Sequence, residues 1–407
     1  MANVQTDIVL KKDALVITLV GIAHGLSHFF HLILAPLFPW LKEAFALSYA
    51  ELGLLMSAFF IVSGIGQALA GFVVDRVGAF SVLLFGMSCL GISALVLFGA
   101  QDYRMLMAGA MLAGLGNSVF HPSDYTILNK RVSSERIAYA YSVHGISGNL
   151  GWAAAPVFLV SIAGVFDWRM ALLAAAFLPF TVMAFLLVYR DEMQPQESTH
   201  SEALQVTRSG GEMGFMRLPA VWMCFGFFFL IAMALGGIQS FSSAGLRDLY
   251  GMSLAWATAA YTVYMLASAC GMLWGGFIAA KTSQHDRTIT IAFSFAGALS
   301  LILASGWLAP ALAVILMGFI GFGAGVAGPS RDLLIRAAAP KNATGMVYGI
   351  VYSGLDIGLA CAPLLFGAIM DRKHPSWVFM CVGVFQFLAI MTAVNVGVKT
   401  RATILPA

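Results

Sequence analysis

The sequence predicts an all-α membrane protein: twelve transmembrane helices in two six-helix, pseudo-symmetric halves. Three observations lead there, namely a composition too apolar for water, apolar runs of membrane-spanning length at short intervals, and landmarks that recur in the same order in each half. Of 407 residues, 60% are hydrophobic and 10% are charged, against about 25% charged in an ordinary soluble chain. So little polar side chain cannot cover a folded monomer in water, which excludes a soluble enzyme, a disordered chain and a nucleic-acid binder. The formal charge of +3 gives no reason to expect a polyanionic partner.

A helix crossing a hydrocarbon core about 30 Å thick needs about 20 mostly apolar residues. Twelve segments qualify: 14–40, 49–74, 79–100, 105–129, 137–163, 170–189, 218–241, 253–280, 288–306, 310–336, 344–370 and 376–397. Their continuous apolar character, without alternation, excludes a barrel. The first run follows Lys11-Lys12 and exceeds the apolar stretch of a signal peptide, so it is expected to be retained. Ser48 and Glu51 have the spacing of a capping box at the start of the second span. The long polar stretch after the sixth span divides the chain into a half at 1–189, a cytoplasmic linker at 190–217 and a half at 218–407. Lys and Arg gather in the loops and tails on the side of the N-terminus, which places both termini in the cytoplasm by the positive-inside rule. Cys89, Cys224, Cys270, Cys361 and Cys381 lie in apolar stretches without metal-ligand spacing and are expected to be buried small hydrophobes.

The halves repeat one another. Pro122-Ser123 aligns with Pro329-Ser330, and the same offset of 207 residues places Tyr141 on Tyr348, Gly151 on Gly358 and Pro156 on Pro363. Ser48 corresponds to Ser253, and Gly71-Phe72 to Gly276-Phe277. Parallel six-helix repeats related by an axis along the membrane normal are the plan of a transporter.

The loop Gly71-Phe-Val-Val-Asp75-Arg76-Val-Gly78 is similar to the signature of the major facilitator superfamily, although Ala79-Phe80 stand where basic residues are usual. Within it, Ser118-Val-Phe-His-Pro122 and Gly148-Asn-Leu-Gly151 followed by Pro156 resemble the fosmidomycin-resistance group of drug exporters. The resemblance implies a bacterial inner-membrane carrier working by alternating access, with spans 1, 4, 7 and 10 on the substrate path. It also implies that Asp75 caps the start of span eleven near Asn342 to Gly345 as a conformational latch. Gly148, Gly151 and Pro156, with Gly358 and Pro363, are expected to permit close packing and a bend in spans five and eleven.

Ionisable groups at membrane depth cost about 2.5–3.5 kcal/mol on insertion scales, so each is a functional candidate. His24, His28 and His31 fall on one stripe of span one at helical spacing, and His121 and His144 also lie within spans. The stripe has three readings: histidines bonded between helices, histidines that carry protons or touch substrate, and a metal site completed by His121 and Asp124. Asp124 and Arg331 are exact counterparts in the repeat and are expected to pair across a cytoplasmic gate; the alternative is local neutralisation of Arg331 by Asp332. Asp356 aligns with Asn149 and, with Asp124, is a leading proton-coupling acid. Phe29, Phe30, Phe228, Tyr261, Tyr264 and Tyr352 are candidates to face the cavity, with lipid-facing or packing roles the commoner alternative for any one of them.

No P-loop occurs, and no nucleophile, base and orienting group stand at recognisable spacing. The expectation is therefore a non-enzymatic secondary transporter, monomeric and without a cofactor, whose partners are a small organic molecule, in one reading anionic, and protons. Efflux is favoured. Two alternatives stay open: proton symport of an organic acid for uptake, and a transition-metal ion transporter using His24, His28 and His31. A sensor built on the same bundle is expected to add a soluble domain or long tail.

Overall fold

The computed structural model describes residues 2–133, 135–194, 219–338 and 344–404. Among them are α1 (Ala2–His31), a 3-10 turn (Ala35–Leu37), α2 (Phe38–Ala44), α3 (Tyr49–Val77), α4 (Ala79–Phe98), α5 (Tyr103–Asn117), α6 (Phe120–Arg131), α7 (Ile137–Val165), α8 (Trp168–Val188) and α9 (Arg190–Met193). The rest are α10 (Pro219–Tyr250), α11 (Leu254–Lys281), α12 (His285–Ala304), α13 (Pro310–Ala338), α14 (Thr344–Asp371) and α15 (Pro375–Ile404). No strand occurs among the described residues.

Among the described residues, eleven helical segments are long and apolar enough to cross a membrane. The expected span at 105–129 is the twelfth, and it is broken into α5 and α6 at Ser118-Val119. Pro122 has no N–H, and its ring crowds the carbonyl four residues back, that of Ser118. The Ser118 hydroxyl instead donates to the Leu115 carbonyl at 2.7 Å. The first span also departs from the expected 14–40. Its helix begins at Ala2 and stops at His31, because Pro36 and Pro39 prevent a continuous helix into α2. Asp13, expected just outside the span, is buried and accepts from Arg136 Nη1 and Ser133 Oγ, each at 2.6 Å.

By packing, the chain divides into Met1–Leu37 with Ile61–Gly210, and Phe38–Phe60 with Gly211–Ala407. Most of the expected linker lies outside the described residues; its start forms α9. In the first unit α1 packs chiefly on α7, and α4 on α5 and α8. Gly151 sets the α1 to α7 approach, since a Cβ there would overlap the Gly25 carbonyl oxygen. In the second unit the most extensive pairing is α11 with α13. Each contributes a GxxxG pair, Gly271/Gly275 and Gly321/Gly325, against the other's backbone. Small residues of this kind let helix backbones meet where lipid supplies no hydrophobic drive to associate. Large apolar side chains such as Phe72, Phe177, Trp274, Phe277 and Met391 are exposed, as lipid-facing positions require.

The expected cap is present. Ser48 and Glu51 form the reciprocal box, with Ser48 N–H to Glu51 Oε2 at 2.8 Å and Glu51 N–H to Ser48 Oγ at 3.1 Å. Its repeat counterpart Ser253 caps α11, accepting from Trp256 N–H at 3.4 Å. A further cap lies within the second unit: the Asp371 carboxylate accepts from Tyr49 N–H at 2.7 Å and Ala50 N–H at 2.8 Å. The cysteine expectation needs correction. Cys89 and Cys224 are buried, but Cys361 and Cys381 are only partly so and Cys270 is exposed, an apolar side chain on an outward helix face.

Gly151→Ala is expected to destabilise by about 1–3 kcal/mol through overpacking, lowering the melting temperature of the detergent-solubilised protein by several degrees. Gly145→Ala, where a Cβ meets nothing within 4 Å, leaves it unchanged. Asp371→Ala removes two charge-assisted bonds from the first turn of α3 and is expected to speed amide exchange at Tyr49 and Ala50 about tenfold. Exchange equal to that of the unaltered protein would show that the cap contributes nothing.

Candidate functional site

The first unit brings all five intramembrane histidines into one buried group. α1 supplies His24, His28 and His31, α6 supplies His121 and Asp124, and α7 supplies His144. The His24 ring stacks on His144 with centroids 3.4 Å apart and lies 4.4 Å from His28 and 5.3 Å from His121. His28 in turn lies 4.7 Å from His31 and 4.4 Å from Trp152. Gly148 makes the room: a Cβ on it would sit 2.7 Å from His28 Nδ1 and 3.0 Å from His24 Cε1.

Hydrogen bonds divide these histidines by role. His31 is satisfied at both nitrogens. Trp152 Nε1–H donates to its Nδ1 at 3.3 Å, so Nε2 carries the proton and donates to Asn117 Oδ1 at 3.0 Å. Asn117 passes the chain on to Ser63 Oγ at 2.8 Å. His31 is thus a bonded strut between helices, which corrects its expected place beside His24 and His28 in a metal set.

His24 is different. Its Nδ1 lies 2.8 Å from the His144 carbonyl, which can only accept, so Nδ1 carries the hydrogen and Nε2 is left with its lone pair. That Nε2 is buried without a partner, as are both ring nitrogens of His28. His121 Nδ1 donates to Gln67 Oε1 at 3.2 Å, leaving its Nε2 as the acceptor. Asp124 is fully buried; Oδ2 accepts from His144 Nε2 at 3.1 Å while Oδ1 has no partner. Buried polar atoms without partners each cost about 1–3 kcal/mol. Several together in one group mark a place built for a proton or a ligand. Two sets bring ligand atoms within 4.8 Å of one another: His24, His28 and His121, and His24, Asp124 and His144.

Of the other expected site residues, Arg331 lies in the second unit with its guanidinium 5.1 Å over the Phe228 ring, and Asp356 is partly buried on α14. The side chains of Asp332, Tyr352 and the Asn342 to Gly345 segment expected to face Asp75 lie outside the described residues. Asp75 and Arg76 are exposed at the end of α3, and Gly78 adopts φ 92°, a conformation glycine alone takes readily, to turn the chain into α4. Gly71 is open, while Gly358 meets the Phe229 carbonyl oxygen and Pro156 and Pro363 sit inside α7 and α14. Phe29, Phe30, Phe228, Tyr261 and Tyr264 are buried.

Sequence reasoning missed Ser63, Gln67, Asn117 and Trp152. Their signal was available, since Ser63 and Gln67 stand four apart in an apolar span and Asn117 precedes His121 by one turn. It also missed Gln239 on α10, buried with both amide atoms unpartnered. Asp371 too had a signal: Asp371-Arg372 ends α14 as Asp75-Arg76 ends α3.

Comparison with known proteins fits this architecture. A family model for the Major Facilitator Superfamily matches residues 20–353. The chain is 24% identical over 365 residues to the membrane sensor protein UhpC of Escherichia coli (strain K12), covering 83% of this chain and 81% of that one. It is 22% identical over 381 residues to the fosmidomycin resistance protein of the same organism, covering 92% and 90%. A bacterial homolog of the human lysosomal transporter Spinster, in an inward-facing and unoccupied conformation, matches with a TM-score of 0.74 at 13% identity, covering 96% of each chain; at that identity the likeness is one of fold. The chain belongs to the Major Facilitator Superfamily of small-molecule transporters, as a multi-pass membrane protein of that family's twelve-helix fold.

Proposed function

We propose that this protein is a proton-coupled secondary transporter that exports a small organic molecule across a bacterial inner membrane, with both termini in the cytoplasm. The halves at 1–189 and 218–407 alternate access, and the 190–217 linker tethers them. The observation that carries the proton role is the buried Asp124–His144 pair, with Asp124 Oδ1 unpartnered. A carboxylate in so apolar a bundle is stable only while a proton or a cation compensates it, and release of that compensation biases the conformational equilibrium. Asp356, on the other repeat, is the second coupling acid. Efflux is supported by the likeness to the fosmidomycin resistance protein and by Pro156 and the close-packed glycines Gly148 and Gly151 of α7.

The likeness to a membrane sensor supports a second reading, in which the chain binds its small molecule without turning it over. Reconstitution separates the two. With radiolabelled fosmidomycin and a panel of small organic anions as probes, the transport reading expects counterflow in proteoliposomes and net flux when a pH gradient is imposed. Asp124→Asn is expected to lower gradient-driven flux at least tenfold while counterflow, which moves no net proton, persists. Undiminished gradient-driven flux in both Asp124→Asn and Asp356→Asn would remove the coupling role. Binding of a probe with no counterflow would favour the sensor.

A further inference from the structure

The lone pairs left over in the histidine group have a chemistry of their own. His24 Nε2 is turned away from its hydrogen-bonded edge, His121 Nε2 is free to accept because Nδ1 donates to Gln67, and both nitrogens of His28 are unpartnered. We propose that His24, His28 and His121 form a binding site for a borderline divalent transition-metal ion, with zinc the best fit, inside the first unit.

Four features support the assignment. The three side chains present ligand atoms within 4.8 Å of one another. A tetrahedral ion with Zn–N distances of about 2.0–2.1 Å sets nitrogens about 3.4 Å apart, so closure requires only small side-chain adjustments. Two of the ligands already have the outer partner that metal-binding histidines use: the His144 carbonyl holds the Nδ1–H of His24, and Gln67 Oε1 holds that of His121. These bonds fix both tautomers with Nε2 available. Imidazole donors favour zinc, copper, nickel and iron over magnesium or calcium. Charge is met as well, because Asp124 shares with His24 and His144 the adjoining set of ligand atoms and places an anionic carboxylate beside the cation.

His31 stands outside the site, since its two nitrogens are engaged by Trp152 and Asn117. Gly148 is the site's floor, where a methyl group would strike His28. The proposal goes beyond the transport reading and does not rest on it, because binding is measured without turnover.

The test uses the full chain, purified in detergent on an affinity tag free of histidine and stripped with chelator. Calorimetric titration with ZnCl₂ is expected to show one saturable site per chain, and CoCl₂ to give the visible bands of a cobalt–imidazole centre. Zinc is expected to raise the melting temperature of the unaltered protein, and EDTA to reverse the rise. His28→Ala and His121→Ala are each expected to weaken binding roughly 100-fold, and Gly148→Ala to weaken it while all three ligands remain. His31→Ala is expected to change affinity less than threefold. Should an alanine variant not fold, His28→Gln and His121→Gln replace it, and the zinc-dependent melting shift of the unaltered protein stands as an independent reading. Absence of that shift, or equal zinc affinity in the His28, His121 and His31 variants, overturns the proposal. Failure of transport with intact zinc binding would fall on the transport reading alone.

Discussion

The approach of α1 to α7 is the constraint on which the functional part of this molecule depends. With no water to be displaced between helices in lipid, packing must come from backbones that fit closely. Here Gly25, Gly148 and Gly151 are the fit: Gly151 accepts the Gly25 carbonyl at its surface, and Gly148 opens a recess for two imidazoles. Without that recess, His24 could not stack on His144, and its Nδ1 could not reach the His144 carbonyl. The same three glycines therefore support both the fold and the polar group.

Within that group the protein treats similar residues differently. His31 belongs to a chain running from Trp152 through Asn117 to Ser63, every link a donor meeting an acceptor. Such a network joins four helices and returns part of the cost of burying polar groups. On the same helix, His28 one turn away and His24 two turns away keep nitrogens without partners, and Asp124 on α6 keeps an oxygen. A bundle able to satisfy His31 so fully, yet leaving its neighbours incomplete, concentrates its unmet hydrogen bonding at one place. Incomplete satisfaction of this kind is expected where something is bound and released.

Much of the fold was legible in the sequence because lipid imposes simple rules. Spanning length, the cap at Ser48 and the repeat that relates Ser48 to Ser253 follow from composition and spacing. The break at Ser118-Val119 was less legible, since Pro156 and Pro363 sit inside unbroken helices while Pro122 does not. The histidine stripe was visible by period alone, but its division into strut and open site was not, because that depends on Trp152, Asn117 and Gln67 arriving from other helices. The paired GxxxG segments of α11 and α13 were present in the sequence, and only their mutual contact gives them meaning. Asp371 shows the same limit: its Asp-Arg neighbour pair was readable, its hold on the first turn of α3 was not.

The tautomers of His24 and His31 provide the most direct measurement. In protein labelled with ¹⁵N-histidine and assigned by single substitutions, long-range proton–nitrogen correlation spectra report which ring nitrogen carries hydrogen. His24 should be protonated at Nδ1 and His31 at Nε2, opposite states on one helix face. If His24 instead carries its hydrogen at Nε2, its bond to the His144 carbonyl is absent, and the open nitrogen on which the site is built does not exist.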